Sequence, residues 1–248
     1  MARPLILVSC WRRELPTYLS DRTRLETLDP AYAERVSDAG GQPLLASRPP
    51  AAAHESVAQL IELVDGVLLT GGGDVVPASY GAERENVQDD DAEADEFELA
   101  LIAAARTAAL PTLAICRGAQ LLAIAHGGRL TQRPPASDGH SELEGLAGDA
   151  ILAARHPVTL AASSRVARAL GVETAPVNTI HHHQIADPGE LEVTGRSPGG
   201  VIEAIEPRTD WACVGVQWHP EKMGEPEQRG LFDQLVAATR GRYRRAAA

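Results

Sequence analysis

Cys116, His219 and Glu221 are the residues of this 248-residue chain whose types and surroundings fit covalent chemistry on an acyl group. Cys116 sits in "LPTLAICRGAQLLAIAHGGRL" (110–130), between an apolar run and an amphipathic one. The pattern predicts a strand over 111–115, a sharp turn, and a helix over 117–126 with the thiol at the vertex. Ala114 and Gly118, two residues to either side, are small enough for strand and helix to approach closely, as in a nucleophile elbow. The start of a helix also favours an anionic sulfur. By itself the stretch fits a small buried thiol at a strand-to-helix join equally well. Cys10 and Cys213 have no such turn beside them and read as buried thiols.

A nucleophilic thiol needs a base, a group that orients the base, and donors for the developing oxyanion. "VGVQWHPEKM" (214–223) offers His219 and Glu221 just beyond an expected strand. On an extended backbone their i, i+2 spacing puts both side chains on one face. Glu221 can then hold His219 in the tautomer that accepts the cysteine proton. "LLTGGGDVVP" (68–77) follows another apolar strand. Its glycines let backbone N–H groups point into the crevice at the carboxyl ends of the strands. A phosphate-cradling loop fits less well, because neither G-x-G-x-x-G nor a G-K-[ST] ending is present. The N–H groups of Gly73 and Arg117 are the expected oxyanion donors.

Short apolar runs alternating with helical patterns must position these groups. "LILV" (5–8), "PLLA", "GVLLT" (66–70) and "PTLAI" (111–115) read as buried strands. Between them lie a helix opened by Asp29 and Pro30 and stopped at Gly40-Gly41, another near 54–64, and a third in "DEFELALIAAARTAAL". Uninterrupted apolar strands alternating with helices imply a parallel sheet covered on both faces. Residues 131–155, rich in Pro, Ser, Asp and Gly, read as a surface excursion. "HPVTL", "APVN", "LEVTG", "VIEAIE" and "CVGVQW" then follow closely enough to suggest an antiparallel extension of the sheet. A helix over about 226–240 precedes a frayed basic tail. No linker or repeat divides the chain, so one α/β domain over 1–248 is expected.

With aromatics at 4% and 44% hydrophobic residues, the core must be aliphatic. The formal charge of −11 excludes a protein that grips phosphate backbones or anionic membranes, so neither nucleic acid nor membrane is an expected partner. An odd number of cysteines without C-x-x-C spacing suits a reducing compartment. The apolar run in "MARPLILVSCWRRELP" is too short for a signal peptide or a membrane span, and a cytoplasmic protein is expected. Neighbouring histidines on an extended chain point opposite ways, so His181, His182 and His183 read as pocket lining and not as metal ligands. The acidic run "DDDAEADEFE" (89–98) suits the positive end of a helix dipole. A bolder alternative gives it the attraction of cationic leaving groups.

The order and spacing of "LLTGGGDVVPASYG", "FELALI", the Cys116 segment, "HPVTL", "VNTIHHHQI", "VIEAIE" and "VGVQWHPE" resemble the class I glutamine amidotransferase-like superfamily. Within it the chain is similar to the γ-glutamyl-γ-aminobutyrate hydrolase family. The resemblance implies a flavodoxin-like, three-layer α/β fold with a mostly parallel central sheet, helices on both faces and an antiparallel extension. It implies Cys116 as nucleophile, His219 as base and Glu221 as orienting acid. It also implies Gly72, Gly73 and Arg117 around the oxyanion, with Gln120, His181 and His182 binding the glutamyl group. The implied reaction is hydrolysis of small γ-glutamyl amides by water through a thioester, with no metal or organic cofactor, in a chain that can pair as a homodimer. A glutaminase subunit serving a separate synthetase and an inactive binding module are the competing readings. The chain departs from the family pattern at Val76 (commonly Asp), Ala123 (commonly Asn), His183 (Gln in an ungapped reading) and Gly199-Gly200 (Asp-Gly).

Overall fold

A computed structural model describes residues 2–48, 53–133 and 148–246, the side chains of 53–55 and 241–246 excepted. Five parallel strands form one half of its main sheet: β1 (Leu5–Ser9), β4 (Gln42–Ala46), β5 (Gly66–Leu69), β6 (Thr112–Ile115) and β13 (Cys213–Val216). Their residues alternate between two cores. Leu7, Val67, Leu69 and Ala114 face one, while Ile6, Val8, Leu68, Leu113 and Ile115 face the other. With both faces buried, β1, β5, β6 and β13 read as continuous apolar runs, whereas β4 is the edge strand and leaves Leu44 and Leu45 exposed, unlike the buried strand expected at "PLLA". On the first face lie α2 (Ala53–Leu63), α3 (Ala92–Thr107) and α4 (Arg117–Ile124). The other face is covered by α1 (Pro30–Asp38), α6 (Arg165–Leu170) and α7 (Arg229–Ala246).

The sheet continues antiparallel through β12 (Ile202–Glu206), β11 (Glu192–Arg196), β8 (His156–Leu160) and β9 (Thr174–Val177), giving the order β4-β1-β5-β6-β13-β12-β11-β8-β9. The parallel sheet, the helices on both faces and the antiparallel extension all agree with the expected architecture. The local stop and start signals agree as well. Asp29 caps α1 by accepting from Ala31 N–H at 3.0 Å, and Gly40 beyond the helix has φ 86°.

Several elements differ from the sequence reading. A hairpin of β2 (Trp11–Leu15) and β3 (Thr23–Thr27) stands apart from the main sheet. Its charged sequence has little apolar alternation to announce it. A second ribbon pairs β7 (Arg129–Thr131) with β10 (Gln184–Asp187) across more than 50 residues of chain, a contact no local pattern encodes. The expected excursion over 131–155 lies partly outside the described residues. Its described end carries the short helix α5 (Asp149–Ala153), and β8 begins just beyond it. Among the described residues, no helix is long and apolar enough to cross a membrane.

Candidate active site

Adjacent strands β1, β5, β6 and β13 end on the same side of the sheet, and each delivers one part of the site. Trp11 follows β1, Gly71, Gly72 and Gly73 follow β5, Cys116 follows β6, and His219 follows β13. Strand order thus brings together segments that lie about a hundred residues apart, in the crevice where open α/β sheets place ligands. The register is held at Cys116 itself, where Cys116 N–H donates to Val216 O at 2.8 Å.

Cys116 has φ 51° and ψ −106°, a conformation that L-residues avoid. The turn lets α4 begin at Arg117 with the thiol at its apex. A Cβ on Gly118 would lie 2.7 Å from Leu69 O, so this position must be glycine for α4 to rest on β5. The nearby Gly73 is as restricted, since a Cβ there would lie 1.9 Å from Asp89 O.

His219 and Glu221 meet as expected, with 2.7 Å between His219 Nδ1 and Glu221 Oε1. The route differs from the extended backbone that their spacing suggests: Pro220–Lys222 forms a single 3-10 turn that curls the carboxylate back under the ring. Asn178 locks the start of the turn, accepting His219 N–H and donating to His219 O, both at 2.8 Å. With Nδ1–H given to Glu221, Nε2 remains for the sulfur. Burial by itself disfavours a charged imidazole, but the Cys116 sulfur and then the Glu221 carboxylate outweigh it. His219 is held well above the ordinary imidazole range, with a hydrogen bond to Cys116 contributing. The other two thiols contrast with this setting. Burial pushes Cys10 up to about 11 and Cys213 higher still, as inert core thiols require.

Tyr32 completes the arrangement, and nothing in the sequence singles it out. Its buried hydroxyl accepts Gly71 N–H at 3.0 Å and lies 3.4 Å from His219 Nδ1. Burial first, then the Glu221 charge, raises its pKa well above the ordinary phenol range. "DPAYAERV" reads only as a capped helix start, with no mark of a partnership to a turn 187 residues later.

Cys116, Gly72, Gly73, Arg117 and Gln120 border one cavity of about 240 Å³, which the 181–183 segment also lines. Gly72 also borders a second cavity, of about 290 Å³, which His219 and Glu221 face. The Gln120 amide is directed at His183 O (3.2 Å) and Gln217 Oε1 (3.4 Å), and Gln217 Nε2 lies 3.7 Å from Cys116 Sγ. His181 is turned inward, donating from Nδ1 to His183 O at 3.0 Å with Nε2 3.7 Å from the buried Glu203. His182 sits at the rim, 2.8 Å from Asp74 Oδ1. That carboxylate raises the His182 pKa.

The Arg117 side chain is fully buried behind the site, bonded to Glu98 and to Asp95 (2.5 Å) and stacked under the Trp11 ring at 4.6 Å. The acidic run is thus largely engaged within the protein. Asp91 caps α3 and pairs with Arg48, Asp90 pairs with Arg84, and Asp89 pairs with Arg13. Helix capping proves to be only one of its uses, and internal ion pairing is the larger one.

The same sheet occurs in a candidate GMP synthase component from Thermoplasma acidophilum. That chain aligns over 100% of both chains with a TM-score of 0.66 at 13% identity, which establishes a shared fold. Residues 4–221 match the peptidase C26 family, and the chain belongs to that family, of the class I glutamine amidotransferase-like type. It is 36% identical to a candidate glutamine amidotransferase of Mycobacterium tuberculosis over 97% of this chain and 76% of that one. It is 32% identical to the γ-glutamyl-γ-aminobutyrate hydrolase PuuD of Escherichia coli K12, over 96% of this chain and 94% of that one. These relationships make the chain a hydrolase or amidotransferase-like protein.

Proposed function

We propose that the protein hydrolyses the γ-glutamyl amide bond of small γ-glutamyl amines, releasing glutamate and the free amine. The observation that carries this reading is the shared site of three groups. A thiol stands at a strained helix start, a His219–Glu221 pair is bonded to each other and coupled to that thiol, and a glycine loop crosses between them. The family relationship to γ-glutamyl-γ-aminobutyrate hydrolases supplies the substrate class.

In this reading the Cys116 thiolate attacks the γ-carbonyl carbon. The carbonyl oxygen becomes an oxyanion facing the N–H groups of Gly72, Gly73 and Arg117. Arg117 is the first residue of α4, where an amide has no intrahelical acceptor. A donor of this kind is worth roughly 10²–10³ in rate. Protonated His219 gives its proton to the departing amine nitrogen as the C–N bond breaks, leaving a γ-glutamyl thioester and neutral imidazole. That imidazole then takes a proton from water, whose oxygen attacks the thioester. The C–S bond breaks, and glutamate and the thiolate–imidazolium pair are regenerated. Tyr32 and Glu221 position His219 throughout. The buried guanidinium of Arg117 fixes the start of α4 and does not reach toward the substrate, because Asp95 and Glu98 hold it.

Of the four departures from the family pattern, His183 is the one that borders the cavity. Ala123 packs in the core, and Gly199-Gly200 turn between β11 and β12. Val76 N–H donates to Asp95 at 2.8 Å, a contact its side chain does not affect. The test is glutamate release by purified protein from γ-glutamyl-γ-aminobutyrate, γ-glutamyl diamines and glutamine. Turnover of the γ-glutamyl amines that is abolished in Cys116→Ala is expected. Glutamine turnover that appears only with an added synthetase would replace this reading with an ammonia-delivering role.

A further inference from the structure

Beside the Cys116 cavity, three side chains converge in a way the hydrolytic mechanism does not use. Asp74 Oδ1 lies 2.8 Å from His182 Nε2 and 3.5 Å from His183 Nδ1, and all three atoms lie within 4.8 Å of one another. An extended backbone, with side chains alternating, would keep neighbouring histidines from sharing a metal. Residues 181–183 are not in a strand, and the His182 and His183 rings stack with centroids 4.5 Å apart and planes at 19°. Both imidazoles therefore present a nitrogen to the same carboxylate oxygen.

The second histidine carries the chemical signal. His183 Nε2 faces the carbonyl oxygen of Asn86, so this nitrogen holds the ring proton. Nδ1 is then a lone pair, buried and without a hydrogen-bond partner in a side chain 1% exposed, and it points at a carboxylate oxygen. Two electron-pair donors facing each other in the interior ask for a cation between them. The surroundings are also those of a held ligand set. Asp74 Oδ2 accepts Gln88 N–H at 2.7 Å, and Gln120 and His181 both donate to His183 O. A ligating histidine that gives its other N–H to a backbone carbonyl is the usual support for a metal.

We propose that Asp74, His182 and His183 form a binding site for a divalent transition-metal ion of the zinc class. Two imidazole nitrogens and one carboxylate oxygen suit such an ion, and bonds of roughly 2.0–2.1 Å imply tetrahedral ligand–ligand edges of about 3.3 Å. The two measured edges, 2.8 and 3.5 Å, bracket that length. His182, at 38% side-chain exposure, provides the way in, and the fourth position opens to the cavity. His183 stands where the family pattern has glutamine, so the site is a feature of this chain and not of the fold.

Activity is not the readout, because an ion held beside this cavity would change turnover whichever residues bind it. The metal-stripped full-length protein is titrated with Zn²⁺ by calorimetry and with Co²⁺ by visible absorption. One equivalent is expected, with cobalt d–d bands and no thiolate-to-cobalt charge transfer. His183→Gln is expected to weaken binding by about 100-fold or more, while Cys116→Ala leaves it unchanged. Unaltered binding in a folded H183Q protein, loss of binding in C116A, or no binding of either ion would overturn the proposal. Should H183Q fail to fold, the wild-type cobalt spectrum decides, because thiolate charge transfer would place the ion on Cys116.

Discussion

Replacing Cys116 by glycine and by alanine separates the backbone strain of the elbow from the chemistry of the thiol. Both variants lack sulfur, so both lose the His219 partner equally, and only the backbone preference and one methyl group differ. At φ 51° and ψ −106° the residue lies outside even the left-handed helical region, where the cost for an L-residue is near the upper end of about 1–3 kcal/mol. Glycine avoids that cost but loses more chain entropy, about 0.5–1 kcal/mol. It also forgoes burial of one methyl group, about 0.8 kcal/mol. The difference leaves Cys116→Gly more stable than Cys116→Ala by about 1 kcal/mol. In a chain of this size that is a rise of about 2–4 °C in Tm. Thermal unfolding of the two variants under identical conditions measures it, and both should be inactive. A glycine variant no more stable than the alanine variant would mean that the elbow stores no strain, and the account of how Cys116 is presented would fail.

Three further outcomes follow from the same geometry. Tyr32→Phe leaves Gly71 N–H without its acceptor and removes the hydroxyl beside His219. A stability loss of about 1–3 kcal/mol is expected by urea denaturation, with kcat falling roughly tenfold, and an unchanged kcat would remove Tyr32 from the positioning of His219. His219 has a raised pKa in the folded state, so its contribution is fully present below the unfolded value of about 6.5 and is lost as pH rises through the folded one. The stability advantage of wild type over Glu221→Gln should therefore be larger at about pH 6 than at about pH 10, and urea midpoints showing the reverse trend would contradict the His219–Glu221 pairing. Asp95→Ala leaves the fully buried Arg117 with one carboxylate and Val76 N–H with none. A loss of about 3–5 kcal/mol is expected by chemical denaturation, and a loss below ~1 kcal/mol would show that this network does not anchor α4.

Much of the fold is legible because it is written locally. Buried parallel strands must be apolar throughout, and helices must be capped, so runs such as "GVLL" and the Asp29-Pro30 start identify themselves. The β2–β3 hairpin and the β7–β10 ribbon are not legible, because their sequences are polar or their partners distant. At the site, Cys116 and the His219–Glu221 pair stand out through residue type and a short spacing. Tyr32, Asn178, Gln217 and Asp74 do not, because each acts through a contact between segments that share no sequence signal.

Sequence alone determined which groups were available for chemistry and that Cys116 would sit where a strand gives way to a helix. It also determined the alternation of strands and helices, since burial on one or both faces constrains composition residue by residue. Only the tertiary structure decided that β5, β6 and β13 lie side by side, which turns three distant segments into one site. It likewise decided the direction of the histidine side chains. In an irregular segment, orientation is set by packing against Asp74, Asn86 and Glu203 and not by the two-residue period of a strand. Tertiary contacts likewise set Asp95 and Glu98 of the acidic run against the Arg117 guanidinium, a use that the helix-dipole reading does not contain.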